Sequence, residues 1–270
     1  MNQKKQHILV LIQDQENMNI AIEHSFTLAR IFSAKVAIAF YPSKKDQNLV
    51  SIEKIIHEKS KQFSISYRFF EFGNLKKEPN NSIQQLDAIL IVTQFSPKSL
   101  NNLKRHSIYN WILNAKIPTI ALTAHSNINC SYENIIVPID HRKESKEKMI
   151  WASYFGRFNK AIVHLVTPKE KSASYIRTIK ATLIFTKKMF EAFTFQYQII
   201  KTNSKSKNIN LEAIEISKDL KSDLLILMSN RNPGWIASHY GPGQLKKILR
   251  EEKNPVLFIN PLKDYYLPCS

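Results

Sequence analysis

Residues 135–140 are Ile135-Ile136-Val137-Pro138-Ile139-Asp140, five apolar positions that end on a carboxylate. A short, bounded apolar run is typical of a strand that is buried on both faces of a parallel sheet. Asp140 then stands at the carboxyl end of its strand. Ligands of open α/β sheets bind beyond these strand ends, which makes Asp140 the leading candidate functional residue.

The run at 135–140 has a counterpart at Ile8–Gln13, 127 residues earlier. Four more segments recur in the same order: Lys35–Ala39 with Ala161–Leu165, Ser64–Tyr67 with Thr194–Tyr197, Asp87–Val92 with Asp223–Met228, and Ile117–Ala121 with Asn254–Phe258. Chance similarity would scatter such matches, so the order indicates an internal duplication. The sequence predicts two domains, 1–128 and 129–270, divided within a short polar stretch around Cys130.

Each half alternates apolar strand runs with longer amphipathic segments. In the first half the predicted strands are 8–12, 35–40, 88–92 and 117–122. The predicted helices of the chain are Met18–Phe32, Ile52–Phe63, Leu100–Leu113, Lys146–Phe158, Ile176–Phe193, Leu211–Leu220 and Gln244–Glu251. Strand–helix alternation with short connections predicts an α/β fold with a parallel sheet and helices on both of its faces.

The composition favours a cytosolic protein with a lysine-rich surface. The chain of 270 residues carries a net charge of +17, and lysines dominate its basic residues. The excess charge is spread over both halves, so we expect a solvated surface rather than a nucleic-acid interface. No apolar segment approaches the ~20 residues that span a bilayer. We expect Cys130 and Cys269 to be thiols in a reducing compartment.

The common catalytic and metal-binding signatures are absent from the sequence. It contains no GxxxxGK[ST], GxGxxG, GxSxG or HExxH motif, and its cysteines have no metal-ligand spacing. We therefore expect neither a metal site nor a conventional enzyme. His164 lies within a predicted strand, and we expect it to be a core residue with its hydrogen bonds satisfied.

The order of these motifs resembles the tandem form of the universal stress protein family. Ile135–Asp140 matches the family's opening strand, and Ser222–Met228 and Asn254–Ile259 match its two later strands. The resemblance implies two flavodoxin-like (adenine-nucleotide α-hydrolase-like) domains with five-stranded parallel sheets. It also implies an intramolecular pseudo-dimer in which the final strands, Thr119–Leu122 and Val256–Ile259, pair with each other. A homodimer of the chain and higher oligomers are left open.

The resemblance further implies an adenine-nucleotide site in the second half, with ATP or AMP, and Mg²⁺, as the ligands to expect. Asp140 corresponds to the family residue that binds the adenine–ribose end, while the family's glycine-rich loop approaches the phosphates. Here Ser229 and Asn232 stand at the first two glycine positions, and Pro242 stands at the third. The implied site residues are Asp140, Val166, Met228, Ser229, Asn232, Gly241 and Gly243.

The first half departs further from the family pattern. Gln13 replaces the aspartate, and the loop from Thr93 to Pro97 contains no glycine. Our hypothesis is that this half binds no nucleotide and serves as a pseudo-domain for pairing.

Several alternatives remain open. Asp140 could instead cap the helix that follows it, and Glu144 and Lys148 have the spacing of an ordinary surface pair. For the whole protein, a non-catalytic stress-response sensor competes with a protein-interaction module that has lost its ligand. A slow Mg²⁺-dependent ATP hydrolase is the third function.

Overall fold

The computed structural model describes residues 6–12, 18–40, 49–71, 85–95, 115–229, 247–250 and 252–260. The chain divides into two compact units, and the division falls between Cys130 and Ser131. Cys130 is a buried thiol. Within the described part of the chain, each helix is too short or too polar to cross a membrane.

The first unit contains a parallel sheet in the order β3-β2-β1-β4-β5. Its elements are β1 (His7–Ile12), α1 (Met18–Ile31), β2 (Lys35–Phe40), α2 (Leu49–Phe63), β3 (Tyr67–Glu71), β4 (Ala88–Phe95) and β5 (Thr119–Thr123). The predicted helix Leu100–Leu113 lies outside the described residues.

The second unit repeats this order as β8-β7-β6-β9-β10, again with parallel pairs. Its elements are β6 (Asn134–Pro138), α3 (Ser145–Asn159), β7 (Ile162–Thr167), α4 (Ala173–Ala192), β8 (Tyr197–Lys201), α5 (Ile209–Asp219), β9 (Leu224–Met228) and β10 (Val256–Ile259). Of the predicted helix Gln244–Glu251, residues 247–250 are described, and they are helical. The predicted α/β fold with two five-stranded parallel sheets is confirmed.

The strand order of the second sheet determines at which strand ends the ligand crevice of this architecture lies. The chain runs from β6 outward to β7 and β8, and then returns to β9 on the other side of β6. Because such crossovers are right-handed, α3 and α4 cover one face of the sheet and α5 covers the other. The order reverses between β6 and β9, so the ligand crevice of this architecture lies beyond the ends of those two strands.

Equivalent helix ends in the two units share their backbone and side-chain geometry. Ser33 and Lys160 follow the first helix of each unit with φ of 51° and 55°, although neither is glycine. Arg30 lies 5.7 Å from the ring of Phe63, and Arg157 lies 4.9 Å from the ring of Phe193. These cation–π contacts join the ends of the first two helices in each unit, as a duplication predicts.

His164 differs from its prediction in one respect. Its side chain is buried on β7 as expected, but its Nδ1 has no hydrogen-bond partner. Burial lowers the pKa of the imidazole, while a hydrogen bond with Gln198 opposes that effect. The core therefore holds His164 in its neutral form with one ring nitrogen unsatisfied.

Gly156 allows α3 to pack closely against the segment that leads into β8. A Cβ atom at this position would lie 2.4 Å from the Phe195 ring. That ring is itself held by Phe190, whose centroid is 4.5 Å away. A methyl group at 156 therefore forces the aromatic pair to move.

We predict that Gly156→Ala destabilises the protein by about 1–3 kcal/mol, although alanine is the better helix former. Urea unfolding of the single variants, Gly156→Ala and Phe195→Leu, and of the double variant measures the coupling between the two sites. The smaller leucine side chain should remove most of the penalty at 156. Equal penalties in both backgrounds would contradict the close contact.

His24 joins α1 to the segment that follows β5. It is almost fully buried, and its Nε2 lies 2.9 Å from the carbonyl oxygen of Asn127. Burial lowers the pKa of His24 to about 4, although the hydrogen bond to Asn127 opposes the shift. A neutral imidazole that donates Nε2–H to the carbonyl satisfies this geometry.

We predict that His24 makes the protein less stable as the pH falls from 6.5 to 4. In that window the unfolded chain binds a proton at residue 24 and the folded chain does not, so protonation favours unfolding. The pKa difference corresponds to roughly 3 kcal/mol. Chemical unfolding of the wild type and His24→Gln, each from pH 7.5 to 4, isolates this contribution. Parallel pH profiles would contradict it.

Candidate functional site

The crevice at the switch point begins where β6 and β9 stop pairing. Their ladder in the described structure joins Ile135 to Leu224 and Ile136 to Leu225. On its other side β6 stays paired with β7 as far as Pro138 and Val166. The strands that flank the switch point therefore separate before their carboxyl ends, and Asp140 follows directly beyond this gap.

Asp140 is buried and accepts several hydrogen bonds from Arg142. The backbone N–H of Arg142 donates to Oδ1 at 2.9 Å. The guanidinium donates to Oδ2 from Nε at 3.1 Å and from Nη2 at 2.6 Å. This arrangement ties the β6–α3 loop to the end of β6 with charge-assisted hydrogen bonds.

Lys148 is the second cation at the Asp140 carboxylate. Its side chain is 0% exposed, and its Nζ lies 3.6 Å from Oδ2 of Asp140. Nζ also donates a hydrogen bond to the carbonyl oxygen of Pro138, the last residue of β6. The buried ammonium group thus has an anionic and a neutral acceptor, as a buried charge requires. We call Asp140, Arg142 and Lys148 the Asp140 network.

The pKa values of the Asp140 network follow from burial and mutual charge. Burial alone raises the pKa of the Asp140 carboxyl, but the Lys148 charge and the Arg142 hydrogen bonds outweigh it and hold the pKa well below its usual range. Burial lowers the pKa of Lys148 to about 8, against the attraction of Asp140. At neutral pH the site therefore holds an ionised carboxylate between two cations.

Two sequence interpretations of this region are wrong. Asp140 does not cap α3, because the helix begins five residues later at Ser145 and Glu144 occupies the cap position. Lys148 is not part of a surface pair with Glu144, because its side chain is buried against Asp140. The signal was its spacing: Lys148 shares a helical face with Ala152 and Phe155, and all three residues are buried.

The structure brings three other predicted residues to the same edge of the sheet. The carbonyl of Val166 accepts a hydrogen bond from the N–H of Ile139 at 2.8 Å, beside Asp140. Met228 ends β9 and is buried. Ser229 follows it, and its N–H donates to the carbonyl of Ile259 at 2.8 Å. Its hydroxyl contacts Ile259 and Asn260, so the final strand already satisfies both of its polar groups.

The remaining predicted site residues, Asn232, Gly241 and Gly243, lie outside the described residues, as does Gln13 of the first half. The described part of the site therefore consists of the β6–α3 loop and the ends of β6, β7 and β9. Among the described residues, no three His, Cys, Asp or Glu side chains are grouped so that they could hold a metal ion.

An aromatic pair that the sequence reading missed stands next to Asp140. The rings of His141 and Tyr175 are stacked with centroids 3.9 Å apart and an interplanar angle of 17°. Tyr175 lies in the first turn of α4 and remains 40% exposed. The stack joins the residue that follows Asp140 to the start of α4, where the Tyr175 ring is partly exposed.

Comparison with solved structures matches both units at once. A proposed universal stress protein from Pseudomonas aeruginosa UCBPP-PA14 superposes with a TM-score of 0.67 at 14% identity, over 95% of this chain and 94% of that one. A universal stress protein from Archaeoglobus fulgidus DSM 4304 gives a TM-score of 0.66 at 10% identity, over 94% and 98%. The chain has the fold of the universal stress proteins.

The same fold also matches a protein of another kind. The cytoplasmic domain of a prokaryotic cation chloride cotransporter superposes with a TM-score of 0.61 at 13% identity, over 97% of this chain and 98% of that domain. No family model matches the sequence, and neither does any curated protein. At these identities the comparisons establish the universal stress protein fold alone.

We predict that Lys148→Met destabilises the protein by roughly 2–4 kcal/mol, since it leaves a buried carboxylate with one cation fewer. Urea unfolding at pH 7 measures the loss. Lys143→Met is the matched control, because Lys143 is exposed in the β6–α3 loop and should change stability by less than about 0.5 kcal/mol. Equal effects at the two positions would contradict the network.

Proposed function

We propose that this protein is a universal stress protein family member whose second half is a non-catalytic adenine-nucleotide sensor. The observation that carries the proposal is the ionised, buried Asp140 at the switch point of a universal stress protein fold. A carboxylate at this place in an open α/β sheet can accept hydrogen bonds from ligand hydroxyl or amine groups. Burial strengthens such hydrogen bonds because water competes less for the same groups.

The residues around Asp140 suit the separate parts of a nucleotide. Its carboxylate suits the hydroxyl and amine donors of a ribose or base, and the Arg142 guanidinium suits a phosphate. Tyr175 offers a partly exposed ring on which a base can stack. Because the described residues contain no grouped metal ligands, any Mg²⁺ would be held mainly by the phosphates of ATP.

For the first half we propose a pairing role without nucleotide. The domains 1–128 and 129–270 would then form an intramolecular pseudo-dimer through their final strands, β5 and β10. Support comes from the replacement of Asp140 by Gln13 at the equivalent position and from Ala21, which replaces Lys148 127 residues earlier. The carboxylate and the buried ammonium group of the site are thus both missing from these two positions of the first half, while its sheet is retained.

A second candidate function is a protein-interaction module that has lost its ligand. It is favoured by the observation that Arg142 and Lys148 already engage the Asp140 carboxylate. The cytoplasmic domain of a cation chloride cotransporter has the same fold. Under this function the Asp140 network would serve stability alone, and a protein partner would be the ligand.

Calorimetric titration of ATP, ADP and AMP into the purified protein tests the nucleotide proposal. We expect one site per chain with a Kd of roughly micromolar size, and we expect it to be lost in Asp140→Ala. Thermal unfolding of each variant shows that it remains folded. The absence of binding in a folded wild type would favour the interaction module, and Mg²⁺-dependent phosphate release that needs Asp140 would favour the hydrolase.

A further inference from the structure

Arg142 takes up hydrogen-bond acceptor positions on the Asp140 carboxylate that a ligand donor would need. A carboxylate offers about four acceptor positions, two on each oxygen. Here one oxygen accepts the Arg142 N–H, and the other accepts two guanidinium N–H groups and lies 3.6 Å from Lys148. Both acceptor positions of Oδ2 are therefore occupied, and a ligand donor can reach this oxygen only when one of these groups moves.

Of these groups, the guanidinium of Arg142 is the more exposed cation. Lys148 is 0% exposed, lies on the buried face of α3 and is held by the Pro138 carbonyl. The backbone N–H of Arg142 belongs to the tight turn that follows Asp140. The Arg142 side chain, in contrast, is 27% exposed and precedes the helix. If it rotates away, Lys148 remains and keeps Asp140 ionised.

We propose that Arg142 occupies the Asp140 carboxylate in the ligand-free protein and thereby selects phosphorylated ligands over uncharged ones. A displaced guanidinium loses charge-assisted hydrogen bonds, and an anion is needed to replace them. A phosphate offers paired oxygens that match the guanidinium fork. The selected ligand therefore combines hydroxyl or amine donors for Asp140 with a phosphate for Arg142. This inference rests on the proposed nucleotide site and names the residue that sets its specificity.

The ratio of the adenosine Kd to the AMP Kd measures this selectivity. An uncharged ligand must break the ion pair without replacing it, so the wild type should bind AMP roughly 10- to 100-fold more tightly than adenosine. In Arg142→Ala the carboxylate is accessible and the phosphate has lost its partner. The ratio should then fall to about 3 or less, chiefly because adenosine binds more tightly.

Two further variants separate Arg142 from general electrostatics. Lys143→Ala removes the same charge from the next, exposed residue, and it should leave the wild-type ratio unchanged. Arg142→Lys keeps the charge but removes the bidentate fork, and it should give an intermediate ratio. Isothermal calorimetry with adenosine and AMP gives every Kd, and thermal unfolding confirms that each variant is folded.

The outcomes distinguish failure of the inference from failure of the proposed function. Adenosine binding by Arg142→Ala, together with weak or absent adenosine binding by the wild type, supports the inference. AMP binding with an unchanged ratio in Arg142→Ala overturns the role of Arg142 and leaves the nucleotide site standing. No binding of either compound to any folded variant overturns both.

Discussion

A buried carboxylate must have its charge compensated, and this requirement organises the second unit around Asp140. Isolated in the protein interior, the charge would cost many kcal/mol or the group would take up a proton. Lys148 approaches it from the buried face of α3, and Arg142 approaches it from the loop. The same two residues thereby fix the end of β6, the β6–α3 turn and the first helix of the unit relative to one another.

The parallel sheet explains why this charge lies where a ligand would bind. In strands that are buried on both faces, polar side chains occur mainly at the strand ends. The carboxyl ends of β6, β7 and β9 lie at one edge of the sheet. The β6–β9 ladder ends before the carboxyl ends of these strands, which leaves a gap at the switch point. In the proposed function, stability and ligand binding use the same carboxylate, and a ligand competes with the protein's own cations for it.

The sequence predicted the sheet well because its strands are short apolar runs with sharp limits. The predicted limits of an element were less accurate where polar residues continue it. Strand β4 extends to Phe95 because Gln94 and Phe95 still pair with Leu122 and Thr123 of β5. The site was predicted only in part. Asp140 follows a recognisable strand, whereas the burial of Lys148 depends on the helix face that α3 turns inward. The contact of His141 with Tyr175 joins two segments that are far apart in sequence, and no local pattern reports it.

The ionisation of Asp140 can be measured directly. An NMR pH titration of ¹³C-labelled protein follows the chemical shift of its carboxyl carbon. We predict that Asp140 stays ionised through the region near pH ~3.9 where an exposed aspartate takes up its proton. A carboxyl that titrates at or above that pH would show that Lys148 and Arg142 do not hold it, and it would contradict the central claim.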